Sequence, residues 1–239
     1  MITKTKNVGG VMSEFTYQTK VSAQKLESLE WDNVWWEQTG NETARRILYI
    51  GDSISCGTRR TITTLSNSEI LCDGFGSSKA LDNPFLKPSI ELFMKQMNKC
   101  DGILFNNGLH GFHLSNEEYQ KHYDDMLKFL VETGKPVYVV LTTDDIKHQK
   151  QNEIVDARNE IAKALAEKHN LPVIDLHTVA VNNGQYHRPD GVHFETEGYE
   201  LLATASDNKA LYYATSQDGI VWSKAKAVIF PSGDTYNWD

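Results

Sequence analysis

Short apolar runs alternate with longer periodic segments along the middle of the chain. Five runs rich in β-branched and aromatic residues predict β-strands. They cover residues 47–50, 69–72, 102–106, 136–142 and 171–175. Strands that alternate with helices through short links predict a parallel sheet with helices on both sides. The pattern therefore predicts an α/β fold.

Two segments between the later runs have apolar residues at helical spacing. The first, residues 117–132, has an apolar side formed by Tyr119, Tyr123, Met126, Leu127 and Leu130. The second, residues 153–169, has an apolar side formed by Ile154, Ala157, Ile161, Ala164 and Leu165. Glycine or asparagine followed by proline ends both segments, at Gly134-Lys-Pro and Asn170-Leu-Pro. Such endings are typical of helices.

The two ends of the chain differ from this middle part. Residues 1–45 are rich in tryptophan, with Trp31, Trp35 and Trp36 close together. Either these rings anchor a segment that crosses the surface of the core, or one of them borders a functional cleft. Residues 211–216 and 220–223 predict two strands joined by a turn that contains Asp-Gly, a hairpin signal. We therefore expect an α/β domain over residues 46–204 and a β-hairpin annex, or part of a second domain, over residues 205–239.

Length and charge narrow the classes of function. The 239 residues suffice for one α/β domain with a smaller appendage. The net charge of −8 argues against nucleic acid as a partner, because phosphate binding needs clustered basic residues. No run approaches the roughly 18 apolar residues of a membrane-spanning helix. The first residues lack the pattern of a signal peptide, so the chain as given is expected to be cytoplasmic. A secreted protein trimmed of its signal would look the same.

The three cysteines, Cys56, Cys72 and Cys100, are too few and too scattered to indicate a disulfide framework or a zinc site. Cys56 lies close to Ser53 in the sequence, but nothing nearby would lower its pKa and make it a nucleophile. The chemistry therefore has to come from other residues.

The candidate chemistry begins at Gly51-Asp-Ser53-Ile, directly after the apolar run 47–50. This turn puts a serine hydroxyl at the carboxyl edge of a strand, where open α/β sheets bind ligands. Ser53 could instead cap the next helix. Far along the chain, Asp190 and His193 lie three positions apart in a turn. Because a serine, a histidine and a carboxylate together can activate a hydroxyl, the sequence predicts a serine hydrolase.

The first block, Gly51-Asp-Ser53-Ile, and the last, Asp190-Gly-Val-His193-Phe, together resemble the SGNH or GDSL-type hydrolase superfamily. The resemblance covers roughly residues 46–204. It implies a flavodoxin-like three-layer α/β/α sandwich, with Ser53 as nucleophile, His193 as general base and Asp190 as its orienting acid. Members of the family are esterases, lipases, thioesterases and carbohydrate deacetylases. They work through an acyl-enzyme, and no cofactor or metal is expected.

The middle blocks depart from the family pattern, which supplies the oxyanion hole with a glycine and an asparagine. The glycine block corresponds to Cys72-Asp-Gly-Phe-Gly-Ser-Ser, in which we choose Gly76 over Gly74. In Asn106-Asn-Gly-Leu-His-Gly, alignment on the glycine places His110 where the family has asparagine. A neutral imidazole N–H can donate to an oxyanion, and Asn107 is the alternative donor. Loss of one such donor costs about 2.7–4 kcal/mol.

The C-terminal segment 212–223 resembles one blade hairpin of a β-propeller glycosidase, and a propeller needs several blades. Together with the early tryptophans, this resemblance favours removal of O-acetyl groups from a carbohydrate, so a carbohydrate or small-molecule ester is the expected partner. Two alternatives stay open. One is a catalytically silent carbohydrate-binding protein on the same scaffold. The other is a metal-dependent hydrolase whose ligands come from His110, His113, His187 and His193 with Asp190.

Overall fold

The computed structural model describes residues 27–210, with side chains described through residue 206. The strands are β1 (Asp32–Trp35), β2 (Arg45–Gly51), β3 (Ile70–Ser77), β4 (Gly102–Phe105), β5 (Val137–Val140) and β6 (Val173–Ile174). The α-helices are α1 (Ser53–Leu65), α2 (Leu86–Met94), α3 (Asn116–Val131), α4 (Gln149–Lys168), α5 (Leu176–Asn182) and α6 (Thr196–Ala210). All five predicted strands and both predicted helices are therefore confirmed.

The six strands form one sheet in the order β1-β3-β2-β4-β5-β6. The strands from β2 to β6 are parallel, and their order is that of the flavodoxin-like fold. Strand β1 lies antiparallel to β3 at the edge, with Asp32 opposite Ser77. This antiparallel edge was not predicted, because β1 lies in the tryptophan-rich segment and its exposed residues lack an apolar run.

Both faces of the sheet are covered, which explains the apolar runs in β2, β4 and β5. Leu48 and Ile50 face a core with α2, α3 and α4. Ile47 and Tyr49, whose side chains point to the opposite face, pack in a second core with α1, α5 and α6. The predicted α/β/α sandwich is thus confirmed.

Strand β3 continues five residues beyond its predicted end at residue 72, through Asp-Gly-Phe-Gly-Ser. The buried carboxylate of Asp73 is accommodated because it accepts the Glu37 N–H at 2.8 Å and lies 3.3 Å from Arg46 Nε. Polar and glycine residues are rare in strands, so the sequence pattern broke off early. The extension matters because it brings Gly76 to the carboxyl end of the parallel strands, where Ser53 follows β2.

The buried face of α4 differs from the predicted one. It consists of Val155, Arg158, Asn159, Ala162, Leu165 and Ala166. Of the predicted face, only Leu165 is fully buried, and Ala164 is exposed. The pattern failed because two polar residues occupy core positions. Asn159 bonds both the N–H and the C=O of Thr142, at 2.8 and 2.9 Å, and Arg158 bonds a loop above the sheet.

The last described helix, α6, runs on to Ala210, past the predicted domain boundary at residue 204. Its Leu202 and Ala203 are buried in the core with α1 and α5. The predicted hairpin at residues 211–223, and with it the resemblance to a propeller blade, lies outside the described residues. No helix between residues 27 and 210 is long and apolar enough to cross a membrane.

Candidate active site

Ser53 is the first residue of α1, immediately after β2. The cap of this helix is Asp52, whose side chain accepts the Ile54 N–H at 2.9 Å, so Ser53 is free of the capping role. The sheet order reverses between β3 and β4 on either side of β2, which makes the end of β2 a topological switch point. The serine therefore lies where this class of fold binds its ligands.

His193 connects Ser53 with Asp190. Its Nε2 lies 2.8 Å from Ser53 Oγ, and its Nδ1 lies 3.1 Å from Asp190 Oδ2. The other oxygen of Asp190 accepts the backbone N–H groups of Val192 at 2.9 Å and His193 at 2.8 Å. One short turn thus holds both the carboxylate and the imidazole, as the Asp-x-x-His spacing predicts.

The charge of Asp190 selects the tautomer of His193. Hydrogen bonds from the backbone N–H groups of His193 and Val192, and then from the His193 side chain, lower the pKa of Asp190 to about 2. At neutral pH the carboxylate is ionised and can only accept, so Nδ1 carries the proton. Nε2 is left as the acceptor for the Ser53 hydroxyl. This arrangement can remove a proton from Ser53.

Asp52 is buried directly behind the serine. Burial raises the pKa of its carboxyl, and His110, the N–H groups of Ile54 and Ser55, and His193 oppose that rise. His110 and His193 thus both favour the ionised form of Asp52.

Gly76 of β3 pairs with Gly51, which precedes Ser53 by two residues. Gly74 pairs with Tyr49 and is therefore further from the serine along the strand. A Cβ at Gly76 would overlap Cys56 Sγ and would touch the Trp31 ring at 3.5 Å. A side chain at this position would therefore displace Cys56 of α1 and crowd Trp31, the residue before β1. Gly76 and Trp31 thus border the region beside the serine.

The two candidate donors after β4 have different surroundings. Asn107 is buried, and its Nδ2 donates to the Lys79 carbonyl at 3.1 Å, which ties two loops together. The ring of His110 meets the Trp31 ring edge-on, with centroids 6.4 Å apart. Its side chain keeps 21% of its surface exposed. Of the two candidates, His110 is the one that lies next to Trp31, whose ring a Cβ at Gly76 would touch.

The four histidines of the metal-site alternative each lie beside a different carboxylate. His193 bonds Asp190, His113 Nε2 lies 3.0 Å from Asp82, and His187 Nε2 lies 3.2 Å from Asp144. His110 Nδ1 lies 4.0 Å from Glu27. Within residues 27–206, no three His, Cys, Asp or Glu side chains gather in a group that could hold a metal ion. The distances therefore give the metal alternative no support.

Sequence reasoning overlooked two residues that surround the 108–111 loop. Arg158 reaches it from α4, and Glu27 reaches it from the segment before β1. The sequence offered one signal for Arg158, which is a charged residue at helical spacing between the apolar residues Val155 and Ala162. The structure shows that all three are buried. Glu27 had no signal, because its contact spans 84 residues.

The structure is similar to solved SGNH-type hydrolases. A G-D-S-L family lipolytic protein from Veillonella parvula is 21% identical, with a TM-score of 0.57 over 68% of this chain and 96% of its own. An acetyl xylan esterase is 18% identical, with a TM-score of 0.53 over 67% and 96%. The catalytic domain of a Streptococcus pneumoniae peptidoglycan O-acetyltransferase is 19% identical, with a TM-score of 0.55 over 68% and 90%.

These similarities show the fold: the chain has the SGNH-type hydrolase fold. No family model and no curated protein matches the sequence. The activity has to be argued from the site itself.

Proposed function

We propose that the protein is a carboxylic ester hydrolase that works through an acyl-enzyme on Ser53. The observation that carries the proposal is the 2.8 Å contact between Ser53 Oγ and His193 Nε2, which joins residues 140 positions apart. Asp190, within 3.1 Å of the other ring nitrogen, completes the set of groups that makes a serine nucleophilic.

The reaction proceeds in two similar halves. Ser53 Oγ attacks the ester carbonyl while its proton passes to His193 Nε2, and the imidazolium is stabilised by ionised Asp190. The tetrahedral intermediate collapses when the C–O bond to the alcohol breaks, and His193 returns the proton to the departing oxygen. Water then attacks the acyl-enzyme with the same histidine as base. The acid leaves, and Ser53 recovers its proton.

We assign the side-chain donor of the oxyanion hole to His110. Asn107 already directs its amide to Lys79, whereas His110 lies beside Trp31 and interacts with Asp52. The start of α1 adds N–H groups that have no acceptor within the helix. Gly76 has no side chain, and Cys56 and Trp31 approach the space that a Cβ would occupy.

The substrate class we favour is an O-acetyl ester on a carbohydrate. Two similar structures are described as an acetyl xylan esterase and an acetyl-xylooligosaccharide esterase, and a third as a peptidoglycan O-acetyltransferase. Trp31 offers a half-buried aromatic ring next to His110, and aromatic faces suit the apolar faces of sugars. Cys56 and Trp31 crowd the space at Gly76, which favours a short acyl chain.

The test is hydrolysis of p-nitrophenyl acetate, p-nitrophenyl octanoate and acetylated xylo-oligosaccharides by the wild type, Ser53→Ala and His193→Ala. We expect turnover of the acetyl substrates, poor turnover of the octanoate, and loss of activity in both variants. Ser89→Ala is the matched serine control, because this residue is half-buried like Ser53 but lies in α2, on the other face of the sheet.

Activity that survives in Ser53→Ala would refute the mechanism. Saturable oligosaccharide binding without any ester hydrolysis would instead favour the silent binding protein.

A further inference from the structure

Arg158 is a buried arginine that bonds one loop by three hydrogen bonds. It is among the largest fully buried side chains, with 1% of its surface exposed. Its Nη1 donates to the carbonyls of Gly108 at 2.9 Å and His110 at 2.6 Å, and its Nη2 donates to the carbonyl of Gly111 at 2.6 Å. A buried charge is usually paired with an opposite charge. Among the described residues, no carboxylate lies within salt-bridge distance of Arg158, so these carbonyls replace one.

Aromatic rings hold the guanidinium in place. Its central carbon lies 4.5 Å from the centre of the Tyr119 ring and 5.1 Å from that of Phe112. The Tyr119 hydroxyl donates to the Asn107 carbonyl at 2.6 Å, so the same ring also supports the start of the loop. The planar group therefore has little freedom to rotate, and its fork fixes the carbonyls it bonds.

Glu27 holds the loop from the opposite side. Its Oε1 accepts the Gly111 N–H at 2.6 Å. The Gly111 N–H and the His110 carbonyl belong to one trans peptide. That carbonyl accepts the hydrogen bond from Arg158. The C=O and N–H of a trans peptide point in opposite directions. The peptide between His110 and Gly111 is therefore held between a cation and a carboxylate.

This support is needed because the loop is intrinsically soft. His110 lies between Gly108 and Gly111, and Gly111 adopts a left-handed conformation with φ of +69°. Glycine-rich backbone has many alternative conformations. A displacement of about 1 Å in a catalytic group can reduce the rate on the order of 100-fold.

We propose that Arg158 and Glu27 are positioning residues, which hold the backbone of His110 so that its imidazole meets the oxyanion. The inference rests on the proposed esterase function. It goes beyond that function by assigning the geometry of the hole to a buried arginine and to a carboxylate from the segment before β1.

The decisive experiment compares Arg158→Met in two backgrounds with p-nitrophenyl acetate as substrate. In the otherwise wild-type protein we expect kcat to fall about 10–100-fold with KM changed less than about threefold. In a His110→Ala background, the donor is already lost, so Arg158→Met should reduce kcat less than about threefold further. Equal losses in both backgrounds would overturn the inference, since Arg158 would then act independently of His110.

Glu27 gives a second test that does not disturb the core. Glu27→Ala removes the acceptor for the Gly111 N–H and should lower kcat about 3–10-fold. Glu27→Gln keeps an acceptor oxygen and should restore most of the rate. Identical losses in both variants, or none in either, would contradict the assigned role.

Leu165→Ala is the control for lost stability, because this residue is buried on the same helix as Arg158, seven positions further along, and bonds no part of the 108–111 loop. It should lower the melting temperature while leaving the kcat of the folded enzyme unchanged. The outcomes also separate this inference from the proposed function. If Ser53→Ala is inactive but His110→Ala matches the wild type, the esterase stands and the positioning role is refuted.

Discussion

Gly108→Ala tests how tightly the loop after β4 is fitted against the end of β5. A Cβ at this position would overlap Thr142 Oγ1 and would lie 2.8 Å from Thr142 Cβ and 3.0 Å from Cγ2. Thr142 cannot move aside easily. Its Oγ1 accepts from Asn106 Nδ2 at 2.9 Å, and Asn159 bonds its N–H and its C=O.

The cost has two parts. Overpacking of a rigid core costs about 1–3 kcal/mol. Displacement of Thr142 Oγ1 would also leave the buried Asn106 amide without this acceptor, which costs about 1–3 kcal/mol more. A displacement of Thr142 that breaks this hydrogen bond also relieves part of the overlap, so the two costs do not add in full. We therefore expect a total loss of about 2–4 kcal/mol in the free energy of unfolding. For a domain of this size the melting temperature should fall by roughly 5–15 °C.

The assay is urea denaturation of Gly108→Ala in three backgrounds. Thr142→Ala removes the Oγ1 and Cγ2 atoms that the new methyl group meets, so Gly108→Ala should cost at least about 1 kcal/mol less there. Thr142→Val keeps the volume of the side chain and should give no such relief. Additive losses in the Thr142→Ala background would show that the methyl group is accommodated elsewhere and would refute the steric reasoning.

Three further predictions concern other parts of the molecule. Asp190→Asn should reduce kcat by up to about 10⁴-fold because it no longer selects the His193 tautomer, and a variant with wild-type kcat would contradict that role. Partial burial by itself would raise the pKa of Asp124, but hydrogen bonds from lysine and histidine side chains outweigh this effect and lower the pKa. Its stabilisation is therefore complete above its unfolded pKa of about 3.9 and is lost as the pH falls. Asp124→Asn should thus be less stable than wild type at pH 7, and the difference should shrink below about pH 3.9; a difference independent of pH would refute this. Ser115→Ala breaks the capping box with Glu118 and should cost about 1 kcal/mol in urea denaturation, whereas no loss would mean that water replaces the cap.

The parallel strands could be predicted because a sheet buried on both faces needs apolar residues at every position. Residues 47–50, which fall in β2, and residues 103–105, which fall in β4, show this directly. The extension of β3 and the edge strand β1 could not be predicted in this way. β3 carries a buried aspartate that Arg46 compensates, and three of the four residues of β1 are exposed and give no apolar run.

The turn with Asp190 and His193 could be predicted from the sequence because both residues belong to one short segment. Their contact with Ser53 could only be inferred, since the whole sheet has to form before residues that are 140 positions apart can meet. The surroundings of His110 were out of reach for the same reason. Trp31 and Glu27 come from the segment before β1 and Arg158 comes from α4, and only packing brings these two parts of the chain to one loop.

The central claim is that His193 activates Ser53 for covalent chemistry, and labelling with a fluorophosphonate followed by peptide mass spectrometry tests it most directly. We predict one adduct per chain on Ser53 in the folded wild type, with labelling lost on denaturation in urea and strongly slowed in His193→Ala. An adduct on a different residue, or no adduct in a protein that hydrolyses p-nitrophenyl acetate, would contradict the account.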